Sequence, residues 1–135
     1  MDKLRVFIAD DSATIRERLV TMALDLPDVD VVGQAQDAPG SLDGIHQTRP
    51  DVVILDIRMP GGNGIEVLRQ LKMMTPAPKV IMLTNFAHVQ YRTRCEEAGA
   101  DFFFDKSTEF DQLPRALEQM RQGLRADDPI TGHHS

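Results

Sequence analysis

The chain has 135 residues, 41% of them hydrophobic and 27% charged, which suits one globular domain with a single full core. A net charge of −6 without a basic patch argues against direct nucleic-acid binding, and no apolar run reaches the roughly 18 residues of a membrane span. A lone cysteine, Cys95, excludes an internal disulfide, and the opening Met1-Asp2-Lys3-Leu4 carries no signal-peptide pattern, so the expected compartment is the cytoplasm.

Along the chain, apolar runs of strand length alternate with helical patterns. Leu4–Ala9 is the first strand, followed by a helical stripe of Ile15, Leu19, Met22, Ala23 and Leu26 that Pro27 stops. Val29–Ala35 is the second strand, and Leu42 with Ile45 marks a weaker helix ending before Pro50. Asp51–Leu55 is the third strand, and Ile65, Leu68 and Leu71 mark the third helix. Lys79–Leu83 follows, nearly continuous in apolar residues, as expected of a strand covered on both faces. Tyr91, Cys95 and Ala98 mark the fourth helix, with Gly99 placed to end it and Cys95 reading as a packed small hydrophobe. Asp101–Phe104 is the fifth strand. Phe110, Leu113, Leu117, Met120 and Leu124 form the clearest stripe, and Pro114 is tolerable there only in a first turn, so the regular helix is predicted to start near Asp111 as cap. Residues 125–135 have no apolar pattern and read as a disordered tail behind a domain spanning 1–124. Such alternation predicts an α/β fold: a parallel sheet with right-handed crossovers and helices on both faces. Ligands in such folds bind at the carboxyl ends of the strands.

Those ends carry the chemistry. Asp10 and Asp11 close the first strand, Asp56 the third, Thr84 the fourth and Lys106 the fifth. Each has a plain explanation alone: Asp10-Asp11-Ser12 as a helix cap, Asp56 as a turn-initiating acid before Met59-Pro60-Gly61-Gly62-Asn63-Gly64, Thr84 and Lys106 as ordinary strand-end residues. Their joint placement at one sheet edge is what needs a cause. Carboxylate oxygens suit a hard divalent cation, and Mg²⁺ held by a couple of carboxylates, a carbonyl and waters is the expected form. Asp56 is the candidate nucleophile, since an aspartate is ionised at neutral pH and can form an aspartyl-phosphate without a separate base. Thr84 can donate its hydroxyl to one phosphoryl oxygen, and Lys106 can present a point charge to another.

The stretches VFIADDSATIR, DVVILDIRMPGGNGIEVL, KVIMLTN and EEAGADFFFDKS together resemble the receiver domain of two-component response regulators, of the chemotaxis-regulator type, over Lys3–Leu124. The resemblance implies a three-layer flavodoxin-like (βα)5 doubly wound sheet of strand order 2-1-3-4-5. By that resemblance Asp56 is the phosphoacceptor, Asp11 the direct Mg²⁺ ligand and Asp10 a ligand through water. The backbone carbonyl of Arg58 completes the metal set, and Thr84 and Lys106 contact the phosphoryl group. Phe103 takes the place of a switch aromatic, often Tyr, and lacks the hydroxyl for a tip hydrogen bond. Lys106 is followed by Ser107 where many relatives have Pro, so a cis bond there, costing about 2.5–4 kcal/mol outside X–Pro, is not expected. Arg58 and Phe86, two residues after Asp56 and Thr84, occupy positions that tune the lifetime of the phosphoryl form. Asn85 puts a larger residue than usual beside Thr84.

The resemblance further implies that Thr84 moves toward the phosphoryl group, Phe103 rotates into the space it leaves, and the face of helix four, strand five and helix five repacks. That face is expected to hold His88, Tyr91, Arg92, Phe103 and Leu113. The implied donor is a histidine kinase or a histidine phosphotransfer protein. With only a short tail following, the expected output is a partner protein or another phosphotransfer domain, without direct nucleic-acid or membrane contact, and a phosphorylation-dependent dimer is admitted. Two rivals stand beside this reading of a single-domain phosphoacceptor that is not otherwise an enzyme. One is a haloacid-dehalogenase-type phosphatase, whose second aspartate would stand where Ser12 stands here. The other is a phosphorylation-independent adaptor using the same helical face.

Overall fold

The computed structural model describes residues 3–126. Strands β1 (Leu4–Ala9), β2 (Val29–Ala35), β3 (Val52–Leu55), β4 (Lys79–Thr84) and β5 (Phe102–Asp105) form one parallel sheet in the order β2-β1-β3-β4-β5. Helices α1 (Ala13–Leu24), α2 (Ala38–Thr48), α3 (Gly64–Lys72), α4 (Val89–Glu97) and α5 (Leu113–Ala126) connect and follow them. A two-residue antiparallel ribbon, Arg58–Met59 with Gly62–Asn63, lies between β3 and α3. This is the expected flavodoxin-like order, and the chain turns back across the sheet between β1 and β3, where ligands of such folds bind.

Strand alternation sorts the side chains into two layers. Phe7, Ala9, Val53, Leu55, Val80, Met82 and Phe103 face one way and pack with Ile45, Leu68, Leu71 and Cys95 from α2, α3 and α4. Val6, Ile8, Val52, Ile54, Ile81, Leu83 and Phe104 face the other way, against Leu19 and Ala23 of α1 and Leu113 and Leu117 of α5. The central strands are buried on both sides, which explains why their sequences alternate so little in polarity. The register across the middle runs Ile8 to Ile54 to Ile81, so three β-branched residues stack in the α1–α5 layer.

Two strands begin one residue later than their apolar runs predict. Asp51 and Asp101 turn their carboxylates back onto the sheet: Asp51 accepts the Arg5 N–H at 2.8 Å, and Asp101 accepts the Val80 N–H at 2.8 Å and the Lys72 ammonium at 2.8 Å. Each acid satisfies a backbone donor at the sheet's amino-terminal edge. Gly99 ends α4 with φ +101°, where a side chain would be strained.

Helix α5 starts later than predicted. Glu109 accepts the Asp105 N–H at 2.9 Å and donates its own N–H to the Asp105 carbonyl at 2.8 Å, closing a tight turn. The chain then makes a 3₁₀ turn over Phe110–Gln112, so Asp111 lies inside that turn and is not the cap. Pro114 becomes the second residue of α5, where its missing N–H has no helical partner to lose. The helix runs to Ala126, two residues past the predicted boundary at 124, and the rest of the expected tail, 127–135, lies outside the described residues.

Cys95 is fully buried, and burial pushes its thiol up to about 11. The native protein is expected to react with a disulfide reagent about 100-fold more slowly than the unfolded chain, in proportion to the lost thiolate. Comparing labelling rates with and without urea checks this.

Candidate functional site

All five singled-out residues arrive at the carboxyl edge of the sheet. Asp10 and Asp11 follow Ala9 of β1, Asp56 follows Leu55 of β3, Thr84 closes β4 and Lys106 follows Asp105 of β5. The ladder extends one bond past the strands: the Asp56 N–H donates to the Ala9 carbonyl at 3.1 Å, and the Lys106 N–H to the Thr84 carbonyl at 2.9 Å. Backbone pairing therefore fixes the spacing of the functional side chains.

Carboxylate oxygens of Asp10, Asp11 and Asp56 all lie within 4.8 Å of one another. Asp10 is 2% exposed and Asp56 5%, while Asp11 faces solvent. The Lys106 ammonium stands 2.7 Å from Asp10 Oδ2 and 2.7 Å from Asp56 Oδ2. The remaining oxygens are held by backbone donors: Asp10 Oδ1 accepts the Ser12 N–H at 2.9 Å and Asp56 Oδ1 the Ile57 N–H at 2.7 Å.

Burial raises the Asp10 carboxyl above its ordinary value. The Lys106 and Ser12 hydrogen bonds pull it back, and the neighbouring Asp56 charge pushes it further up. Burial alone would lower Lys106, but hydrogen bonds and charge from Asp10 and Asp56 outweigh it, so the ammonium is held above its usual value. One cation thus faces three acids, and the pocket carries a surplus of negative charge. Hard oxygen donors with that surplus fit a divalent metal of the Mg²⁺ class. Arg58 lies two residues past Asp56, in the ribbon bordering the pocket.

The local sequence makes this geometry attainable. Ser12 caps α1 by accepting the Ile15 N–H at 3.2 Å, so the residue that a phosphatase would need as an acid is a helix cap. Arg16, one turn into α1, donates to the Asp10 carbonyl at 2.6 Å. Asn63 caps α3 by accepting the Ile65 and Glu66 N–H groups. Gly64 opens that helix directly against Asp56: a Cβ there would stand 1.9 Å from the Asp56 carbonyl oxygen. Neither Gly64 nor Arg16 was marked out by sequence reasoning. Gly64 had a signal, as a glycine between a helix cap and the first apolar residue of a stripe; the Arg16 contact had none.

Thr84 is fully buried, and its hydroxyl oxygen accepts the Phe86 N–H at 3.0 Å. Arg58 and Phe86, singled out separately, meet: the guanidinium carbon lies 4.4 Å from the ring centre. Asn85 is exposed beside them. Phe103 is buried, with Arg92 over its ring. Leu113, expected on the same outer face, is instead fully buried in the α1–α5 layer, because the delayed start of α5 turns its first residue inward. The Lys106–Ser107 peptide bond is trans, as expected.

Residues 6–118 match the response regulator receiver domain family. The chain belongs to that family. It is 31% identical over 93% of its length to the response regulator GacA of Pseudomonas aeruginosa, of which the match covers 59%. It is 37% identical over 93% of its length to the uncharacterized transcriptional regulatory protein YvfU of Bacillus subtilis, covering 63% of it. The chain thus spans about three-fifths of the length of these two relatives. Among solved structures, the response regulator domain of Thermotoga maritima CheB superposes with a TM-score of 0.78 at 34% identity, covering 89% of this chain and 95% of that one. The receiver domain is therefore one of two-component signalling. No helix among the described residues is long and apolar enough to cross a membrane.

Because the folded state raises the Asp10 pKa, the contribution of this group to stability is present at acid pH and lost as pH rises through the raised value. Asp10→Asn is expected to raise the metal-free unfolding midpoint by about 2–5 °C at neutral pH, with the gain vanishing near pH 3 and in saturating Mg²⁺. Calorimetry in chelator and in Mg²⁺, across pH, checks it.

Proposed function

We propose that Asp56 accepts a phosphoryl group, with Asp10, Asp11 and the Arg58 carbonyl holding Mg²⁺. The observation that carries this reading is Lys106, whose ammonium bridges two buried carboxylates at 2.7 Å each, one strand away from a buried threonine hydroxyl. When bound, Mg²⁺ screens the attacking carboxylate from the negative donor. An Asp56 oxygen forms a bond to phosphorus as the bond from phosphorus to the donor breaks, and the donor leaves with that electron pair. Lys106 is already within reach of Asp56 and can pass from carboxylate to phosphoryl oxygen without crossing open solvent. Thr84 accepts the Phe86 N–H through its oxygen, so its own proton is free to be donated to a phosphoryl oxygen. Positioning and charge neutralisation are most of what this transfer needs.

The donor in this reading is a histidine kinase or a histidine phosphotransfer protein, and the chain catalyses only its own phosphorylation and dephosphorylation. The output passes through the face of α4, β5 and α5 to a protein partner in the cytoplasm. The net charge of −6 supports a protein partner over a nucleic acid for these residues. One relative, DevR/DosR of Mycobacterium tuberculosis, is a DNA-binding transcriptional activator, and the match covers 55% of it. A transcriptional output of that kind would need a basic surface beyond the acidic stretch described here.

Incubation with Mg²⁺ and acetyl phosphate is expected to add one phosphoryl mass to the intact protein, and Asp56→Ala is expected to add none. An equal adduct on both proteins would remove Asp56 from the role. The stacked pair Arg58 and Phe86 spans the loops after β3 and β4, and it supports a long-lived phosphoryl form by obstructing in-line water. The double variant Arg58→Asn/Phe86→Glu is expected to lose the phosphoryl group about tenfold faster, in line with removing roughly 1.4 kcal/mol of barrier. Following the decay of the adduct by mass checks this.

A further inference from the structure

Phe103 sits on β5 with its ring inside the layer formed by α2, α3 and α4, and it is 6% exposed. Over its outer side lies Arg92 of α4, whose guanidinium carbon is 4.6 Å from the ring centre. The same group donates through Nη1 to the Phe103 carbonyl at 3.2 Å, and its Nη2 stands 3.7 Å from Glu109 Oε1. That Glu109 oxygen also accepts the Asp105 N–H at 2.9 Å. A single side chain thus joins α4 to the ring, to the backbone of β5 and to the turn that carries Lys106.

The partners suit one another chemically. A buried tyrosine would need an acceptor or water for its hydroxyl, whereas phenylalanine is satisfied by apolar surroundings and leaves its ring face to a cation. The planar guanidinium can stack on that face and keep in-plane donors for a carbonyl and a carboxylate, which an ammonium cannot do. Glu109 is itself anchored to the backbone, so it offers Arg92 a fixed partner.

The geometry points to Arg92 as a positioning residue that holds Phe103 buried before a phosphoryl group arrives. On this view the aromatic half of the switch is pre-set, and inward rotation of the ring is not the event that phosphorylation drives. A ligand that needs the ring buried then binds a state already populated, and its affinity is not reduced by the cost of reaching that state. The inference rests on Asp56 as the phosphoacceptor, and the test separates the two.

The probe is beryllofluoride, a tetrahedral stand-in for the phosphoryl group, titrated calorimetrically in Mg²⁺ into wild type, Arg92→Ala and Arg92→Lys. The companion measurement is the labelling rate of Cys95, which lies one turn on from Arg92 and is buried in the same layer. Arg92→Ala is expected to bind beryllofluoride about three- to tenfold more weakly, to bind Mg²⁺ unchanged and to label Cys95 faster. Arg92→Lys is expected to recover part of both, since it restores the charge without the fork. A purely structural role would not weaken one ligand while sparing the other. Equal or tighter beryllofluoride binding by Arg92→Ala overturns the proposal, as does unchanged labelling of Cys95. Failure of the wild type to take beryllofluoride at all overturns the phosphoacceptor reading instead, and the Cys95 rates then still decide whether Arg92 holds the ring.

Discussion

Two buried carboxylates on neighbouring strands share one ammonium, and the rest of the site is arranged around that contact. Asp10 and Asp56 come together because β1 and β3 pair in parallel and end level. Lys106 reaches both from the far side of β4. Burial and the neighbouring Asp56 charge push the Asp10 carboxyl up, and the hydrogen bond from Lys106 pulls it back. With Lys106 in place, one positive charge stands against three carboxyl groups, a donor set that fits a divalent cation. The contact leaves a charge imbalance that a divalent cation would offset.

That imbalance is tolerable because the surrounding fold is over-determined. The central strands are buried on both faces, the α1–α5 layer and the α2–α3–α4 layer each pack independently on the sheet, and the loops at the carboxyl edge are closed by specific caps. Ser12 and Asn63 fix the helices that follow β1 and β3, and Gly64 lets α3 begin against the Asp56 carbonyl itself. A side chain at position 64 would have to displace the backbone that carries Asp56. Stability in the layers thus offsets repulsion at the edge.

The route from the pocket to the outer face is short. Lys106 is three residues from Phe103 on the same chain segment, and Arg92 and Glu109 clasp that segment from α4 and from the turn before α5. Any movement of Lys106 toward a phosphoryl group therefore strains contacts that α4 shares. In the proposed reading, this continuity of one strand and its two flanking elements is the path that a change at the pocket would take.

The order of elements, the parallel sheet, the buried central strands and the five chemical residues were all legible in the sequence. Each follows from a local rule: hydrophobic period, turn residues, and the tendency of α/β sheets to bind ligands at the strands' carboxyl ends. Position along the chain suffices for such rules. Contacts between residues distant in sequence were another matter. The stack of Arg58 on Phe86 and the grip of Arg92 on Phe103 depend on how separate elements approach after the layers have packed. No period or composition encodes that approach. Side-chain type determined which chemistry this chain could attempt, and only the packed backbone decided which side chains would meet.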